Sequence, residues 1–206
     1  MTRLFLILAT LLAVLLLTTF AVGWWSFTIP PDDAVAKKDM FILHFYLGLT
    51  TAMVGLLVHC LIFMYFLGTG RWVKEVGIAY KFNDADLPKT TRELKRRVFP
   101  PALFAMLICI VTAAAGAGAQ LQAWPWQVHA ILACLTLIIN FWAFNIELDC
   151  LTTNVRVLDA VLDEVDRIRR EQGLESNADA LAADDAPPAD GLIADEDIQA
   201  PRSREN

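Results

Sequence analysis

The sequence predicts an all-α fold: a four-helix transmembrane bundle with a cytoplasmic helical extension and a disordered C-terminal tail. Three observations lead there. The chain of 206 residues is 56% hydrophobic, above the share of an ordinary soluble domain. Its apolar residues gather into four blocks, 4–29, 40–67, 102–119 and 126–146, none containing Lys, Arg, Asp or Glu. Each block is near or above the roughly 17–25 residues that cross a hydrocarbon core of about 30 Å.

The first block follows Arg3 and runs through Leu17 to Trp24 and Trp25. That exceeds the roughly 7–15 residues of a signal-peptide core, and Phe20-Ala21-Val22-Gly23 is a poor cleavage site, so the block reads as a retained helix. The second and fourth blocks carry all the histidines, and the third is rich in small residues from Ala113 to Gly118.

Loop charge predicts orientation. The segment 68–99 holds Arg71, Lys74, Lys81, Lys89, Arg92, Lys95, Arg96 and Arg97, whereas 30–39 has only Lys37 and Lys38 as cations. The positive-inside rule puts the basic segment in the cytoplasm, with both termini on the same side. Trp24, Trp25, Trp124 and Trp126 then mark the outer interface, and Tyr65, Phe66 and Trp72 the inner one. The expected location is a bacterial inner (cytoplasmic) membrane, with the lipid bilayer as first partner and no nucleic-acid partner.

Within the basic loop, 70–80 reads as a short interfacial helix and 83–88 as a turn. Thr90-Thr91-Arg92-Glu93 resembles a capping box, and Pro100-Pro101 is expected to break or kink the start of crossing three. The transmembrane domain spans 1–150. Crossing four is expected to run on into a cytoplasmic amphipathic helix, 151–175, with a seam of Leu148, Leu151, Val155, Leu158, Leu162 and Val165. That seam offers a surface for self-association or for subunits of a membrane complex. From Ser176 the chain is Ala-, Asp- and Pro-rich and acidic, the composition of a disordered tail.

Cys60, Cys109, Cys134 and Cys150 lie in or beside apolar blocks without C-x-x-C spacing, and read as small hydrophobes. No P-loop, G-x-S-x-G or H-E-x-x-H motif is present, so an enzyme acting alone is not expected. Four crossings without repeats or paired broken helices also disfavour a transporter.

The three histidines are the candidate functional residues, because ionisable groups inside a membrane are costly. On crossing two they form a symmetric pattern: His44, Gly48, Gly55, His59. At 100° per residue, Gly48, Gly55, His59 and Thr51 lie at about 40°, 20°, 60° and −20° from His44, one narrow stripe. A rise of 1.5 Å per residue separates the two histidines by roughly 22 Å. His129, just below the outer tryptophans on crossing four, shares the depth of His44.

This arrangement resembles the membrane b-type cytochromes, in which bundle histidines clamp a haem and glycines make room for its ring. The likeness covers one helix and His129. The histidine separation is one residue longer than that family shows, and crossing four has no second histidine. The resemblance implies haem b with His44 and His129 as axial metal ligands, Gly48 and Gly55 at the ring, and Lys37 and Lys38 at the propionates. It implies electron transfer as the activity. His59 then needs another partner, Met106 or a hydrogen bond to a neighbouring helix. The competing reading is a non-catalytic accessory or assembly subunit whose histidine/glycine stripe packs against small residues such as 113–118. A third uses His59, Glu147 and Asp149 as a proton or ion path, although ordinary solvation at the inner boundary accounts for the two acids.

Overall fold

The computed structural model describes residues 2–30, 32–82, 86–176 and 179. Four long helices dominate it: α1 (Thr2–Trp25), α2 (Ala34–Ala79), α3 (Asp86–Gln120) and α4 (Trp126–Glu171). All four are long and apolar enough to cross a bilayer. The chain divides into two compact units, 1–164 and 165–206, and the bundle belongs to the first.

Each helix sends one face inward. Phe5, Leu12 and Leu16 of α1 meet Val58, Ile62 and Phe66 of α2 in a core that also takes Leu94 and Val98 of α3 and Phe144 and Leu151 of α4. The outward faces carry Ile7, Met53, Met64, Phe104, Ile131 and Ile138, all well exposed. Large apolar side chains outside and polar groups inside suit a hydrocarbon solvent. The polar groups tie helix to helix: Thr19 to Thr51 at 2.7 Å, and Thr112 to Thr136 at 2.6 Å.

At one end of the bundle, Phe27, just past α1, meets Trp126 at the start of α4 with ring centres 4.5 Å apart and planes tilted by 48°. This tryptophan end contrasts with the opposite, basic end, where α2 and α3 carry Arg71 to Arg97.

Several local expectations are corrected. Residues 70–79 continue α2 without a break, because nothing in 68–79 interrupts the backbone ladder. The helix closes only where Lys81 takes a left-handed φ of 50° and Phe82 N–H reaches the Gly77 carbonyl at 3.0 Å. Thr90 is no cap, since α3 already runs from Asp86; Thr91 instead donates back to Leu87 O at 3.1 Å. Of the expected turn 83–88, residues 83–85 lie outside the described residues, and Asp86, Leu87 and Pro88 belong to α3.

Pro100 and Pro101 do not break α3. Lacking N–H groups, they release the carbonyls of Arg96 and Arg97 from the ladder. Those carbonyls fall at the basic end beside exposed arginines, where water can take up their bonds.

As expected, α4 passes through residue 150 unbroken, and Leu151 and Val165 of the expected seam are buried, but the rest of the buried face lies one residue earlier than the apolar pattern indicates. Glu147, Cys150, Asn154, Val157 and Val161 are buried, whereas Leu162 is 42% exposed. Polar residues occupy two of the inward positions, so counting apolar side chains alone shifts the register. In the second unit, Gly173, at φ 73°, ends the helix as Leu174 N–H bonds the Arg169 carbonyl at 2.9 Å. The expected disordered tail lies almost wholly outside the described residues.

Candidate functional site

The three histidines fall into two layers. Near the tryptophan end, His44 of α2 and His129 of α4 face each other edge to face, with ring centres 6.0 Å apart. Both are partly buried. Each lies against a glycine of a third helix. A Cβ on Gly23 of α1 would come within 2.7 Å of His44 Cε1, and one on Gly116 of α3 within 3.0 Å of His129 Cε1. These glycines therefore give the two rings their space.

The nitrogens of the pair are not equivalent. His129 Nδ1 lies 3.0 Å from the Thr112 carbonyl, which can only accept, so Nδ1 carries the proton and Nε2 the lone pair. An imidazole whose second nitrogen is fixed by a backbone carbonyl is oriented as metal-bound histidines are. His44 Nδ1 is buried without a hydrogen-bond partner.

Toward the basic end, His59 is fully buried and both its nitrogens are engaged. Nδ1 lies 2.7 Å from Glu147 Oε1, and Nε2 lies 3.1 Å from Asn140 Oδ1. Phe144 stacks on the ring at 5.8 Å and 15°. Glu147 and Asn140 are also fully buried. Asn140 is oriented by its own helix, since its Nδ2 donates to Thr136 O at 2.8 Å. Glu147 Oε2 is buried with no partner.

The structure thus brings His44 to His129 and takes His59 elsewhere. Met106 does not reach His59; its sulfur pairs with Cys60 at 3.7 Å. Nor do the glycines of the stripe open onto a shared space. A Cβ on Gly48 would meet Thr19 Cγ2 at 3.8 Å, and one on Gly55 would meet Cys109 Sγ and Leu12 at 3.5 and 3.6 Å, ordinary packing distances. Gly116 and Gly118 of the 113–118 segment face His129 and Trp124.

Sequence reasoning missed Asn140 and misjudged Glu147. Solvation does account for Asp149, which is exposed and ion-paired with Arg97 at 2.7 Å, but not for Glu147. The signal was available: Asn140, Glu147 and Asn154 repeat at intervals of seven, which keeps them on one face of α4.

Among the described residues, no group of three or more His, Cys, Asp or Glu is disposed to hold a metal ion. The chain matches no protein-family model, and no curated protein or solved structure matches it.

Proposed function

We propose that this chain is an integral membrane protein that holds one haem b between His44 and His129 and serves as an electron-transfer subunit. The imidazole pair, 6.0 Å between ring centres on two separate helices, carries the proposal. If haem b is bound, His44 and His129 would be the two residues of this chain that hold its iron. With only two protein donors, a bare ion would be short of ligands, whereas a tetrapyrrole brings four nitrogens of its own. Haem b, when bound, supplies one-electron chemistry tuned by its axial ligands and burial.

The chain's own residues do the positioning. Thr112 fixes the tautomer and plane of His129. Gly23 and Gly116 let the two rings lie close to the backbone. Lys37 and Lys38, exposed in the first turns of α2, lie about 10 Å along the helix from His44 and are the nearest cations to it on that helix. The cluster of basic residues at the opposite end supports a bacterial cytoplasmic membrane with both termini inside.

The test is an absorption spectrum of the detergent-solubilised protein from haem-replete cells. A Soret band is expected, lost in His44→Ala and in His129→Ala. A colourless preparation, or a band that survives both substitutions, overturns the proposal.

A second reading, a haem-free accessory or assembly subunit, is favoured by the packing of Gly48 and Gly55 against Thr19, Leu12 and Cys109. It predicts a colourless protein that co-purifies with a membrane partner, and weaker co-purification when the exposed Leu162 is made polar.

A further inference from the structure

The layer around His59 has a definite proton inventory. Asn140 gives its amide N–H to the Thr136 carbonyl, so its Oδ1 faces His59 Nε2 and can only accept. Nε2 therefore carries a proton. A second proton lies in the 2.7 Å bond between Nδ1 and Glu147 Oε1. Whether it rests on nitrogen or oxygen, the pair has no net charge, which is the form a fully buried site tolerates best.

One valence is left over. Glu147 Oε2 is buried and has no partner, and Asn154 Oδ1, two helical turns further along the same face of α4, is in the same condition. Asn154 Nδ2 donates to Tyr65 Oη at 3.1 Å and to Thr69 Oγ1 at 3.2 Å. The tyrosine hydroxyl accepts there, so its own proton is free to donate. Asn154 lies about 10 Å along the helix from Glu147, a span that takes more than one water to bridge.

We propose that Glu147 is a buried proton-binding site that exchanges with water at the basic end through Tyr65, Asn154 and Thr69, and that the path stops at Asn140. The stop follows from Asn140 itself. Its two amide hydrogens go to the Thr136 carbonyl and to Cys109 Sγ, and it offers His59 only an acceptor, so no proton passes on toward Thr136 and the tryptophan end. The cluster is a proton store, not a transmembrane wire. Uptake is a simple binding step: hydronium at the basic end gives one proton to the Glu147 carboxylate and leaves as water, and the pair passes from one net negative charge to the neutral form.

The groups that set its charge environment are few. Asp149, two residues beyond Glu147 on α4, is ion-paired with Arg97 of α3 at 2.7 Å. Cys109 of α3 takes an Asn140 N–H at 3.6 Å, Tyr65 is the titratable residue of α2 on the exchange path, and α1 has no titratable side chain beyond Arg3. The inference does not depend on a bound tetrapyrrole.

Infrared spectra of the full chain in lipid nanodiscs test it. A protonated-carboxyl C=O band is expected that rises and falls reversibly with bulk pH, shifts in D2O, and is missing in Glu147→Gln. Tyr65→Phe should slow the D2O shift several-fold, and Thr51→Val should leave it unchanged. If Glu147→Gln does not fold, 13C-glutamate labelling of the wild type makes the assignment instead. A wild-type spectrum without a pH-dependent glutamate band, or a band unmoved by D2O, overturns the site. Equal exchange rates in the wild type and Tyr65→Phe overturn the route.

Discussion

The bundle holds two imidazole layers, one on each side of its middle, and they are built on opposite terms. Near the tryptophan end, His44 and His129 are partly buried, rest on glycines, and His44 keeps a nitrogen without a partner. Toward the basic end, His59 has both nitrogens engaged and no exposed surface. The difference lies in what α4 offers at each depth. It presents a second imidazole to His44, and a carboxylate and an amide to His59. An imidazole with an uncommitted nitrogen is poised to bind a ligand; one bonded at both ends cross-links helices and holds a proton.

The comparison breaks most sharply at Glu147. Glu147→Leu strands the His59 Nδ1 in the core and should cost about 3–5 kcal/mol of unfolding free energy in detergent, read by thermal or denaturant unfolding. A loss below about 1 kcal/mol would mean that the layer contributes no more than an ordinary interhelical bond. Asn140→Leu comes next. It removes one acceptor from a buried N–H and should cost about 1–3 kcal/mol, with any Soret band retained.

Substitutions at the other layer should reverse the pattern. Gly23→Ala drives a Cβ into His44, and Gly116→Ala does so against His129. Both are expected to shift or abolish haem absorbance while unfolding changes less than in Glu147→Leu. Equal spectra in the wild type and both variants would detach these glycines from the site. Thr136→Val should be milder, near the average of about 0.6 kcal/mol for a hydrogen bond between membrane helices. The smallest effect is expected at Gly68, where a Cβ meets nothing within 4 Å. Gly68→Ala should stabilise α2 by about 0.5–1 kcal/mol through backbone entropy alone.

The inner layer was half legible. His59 stood out because an ionisable residue inside an apolar block is conspicuous. Glu147 was named beside His59 but put down to solvation, because it falls one residue past the last apolar block, where length alone marks an interface. The structure carries α4 on to Glu171, so that position still faces the core. Asn140, uncharged and inside the block, gave no hydropathy signal. The seam of α4 was right at Leu151 and Val165 and one residue off between them for the same reason: Glu147 and Asn154 occupy inward positions that an apolar count passes over.

The sequence by itself determined the number of helices and their approximate depths. Run length against hydrocarbon thickness is a one-dimensional measure, and the rise per residue converts position into height. Height was enough to match His44 with His129. It could not determine which way α4 turns about its axis, because rotation depends on how four helices pack side by side. Only the tertiary structure decided that His59 meets Glu147, 88 residues away, and that Gly23 and Gly116, on helices without a histidine, make room for the other two rings.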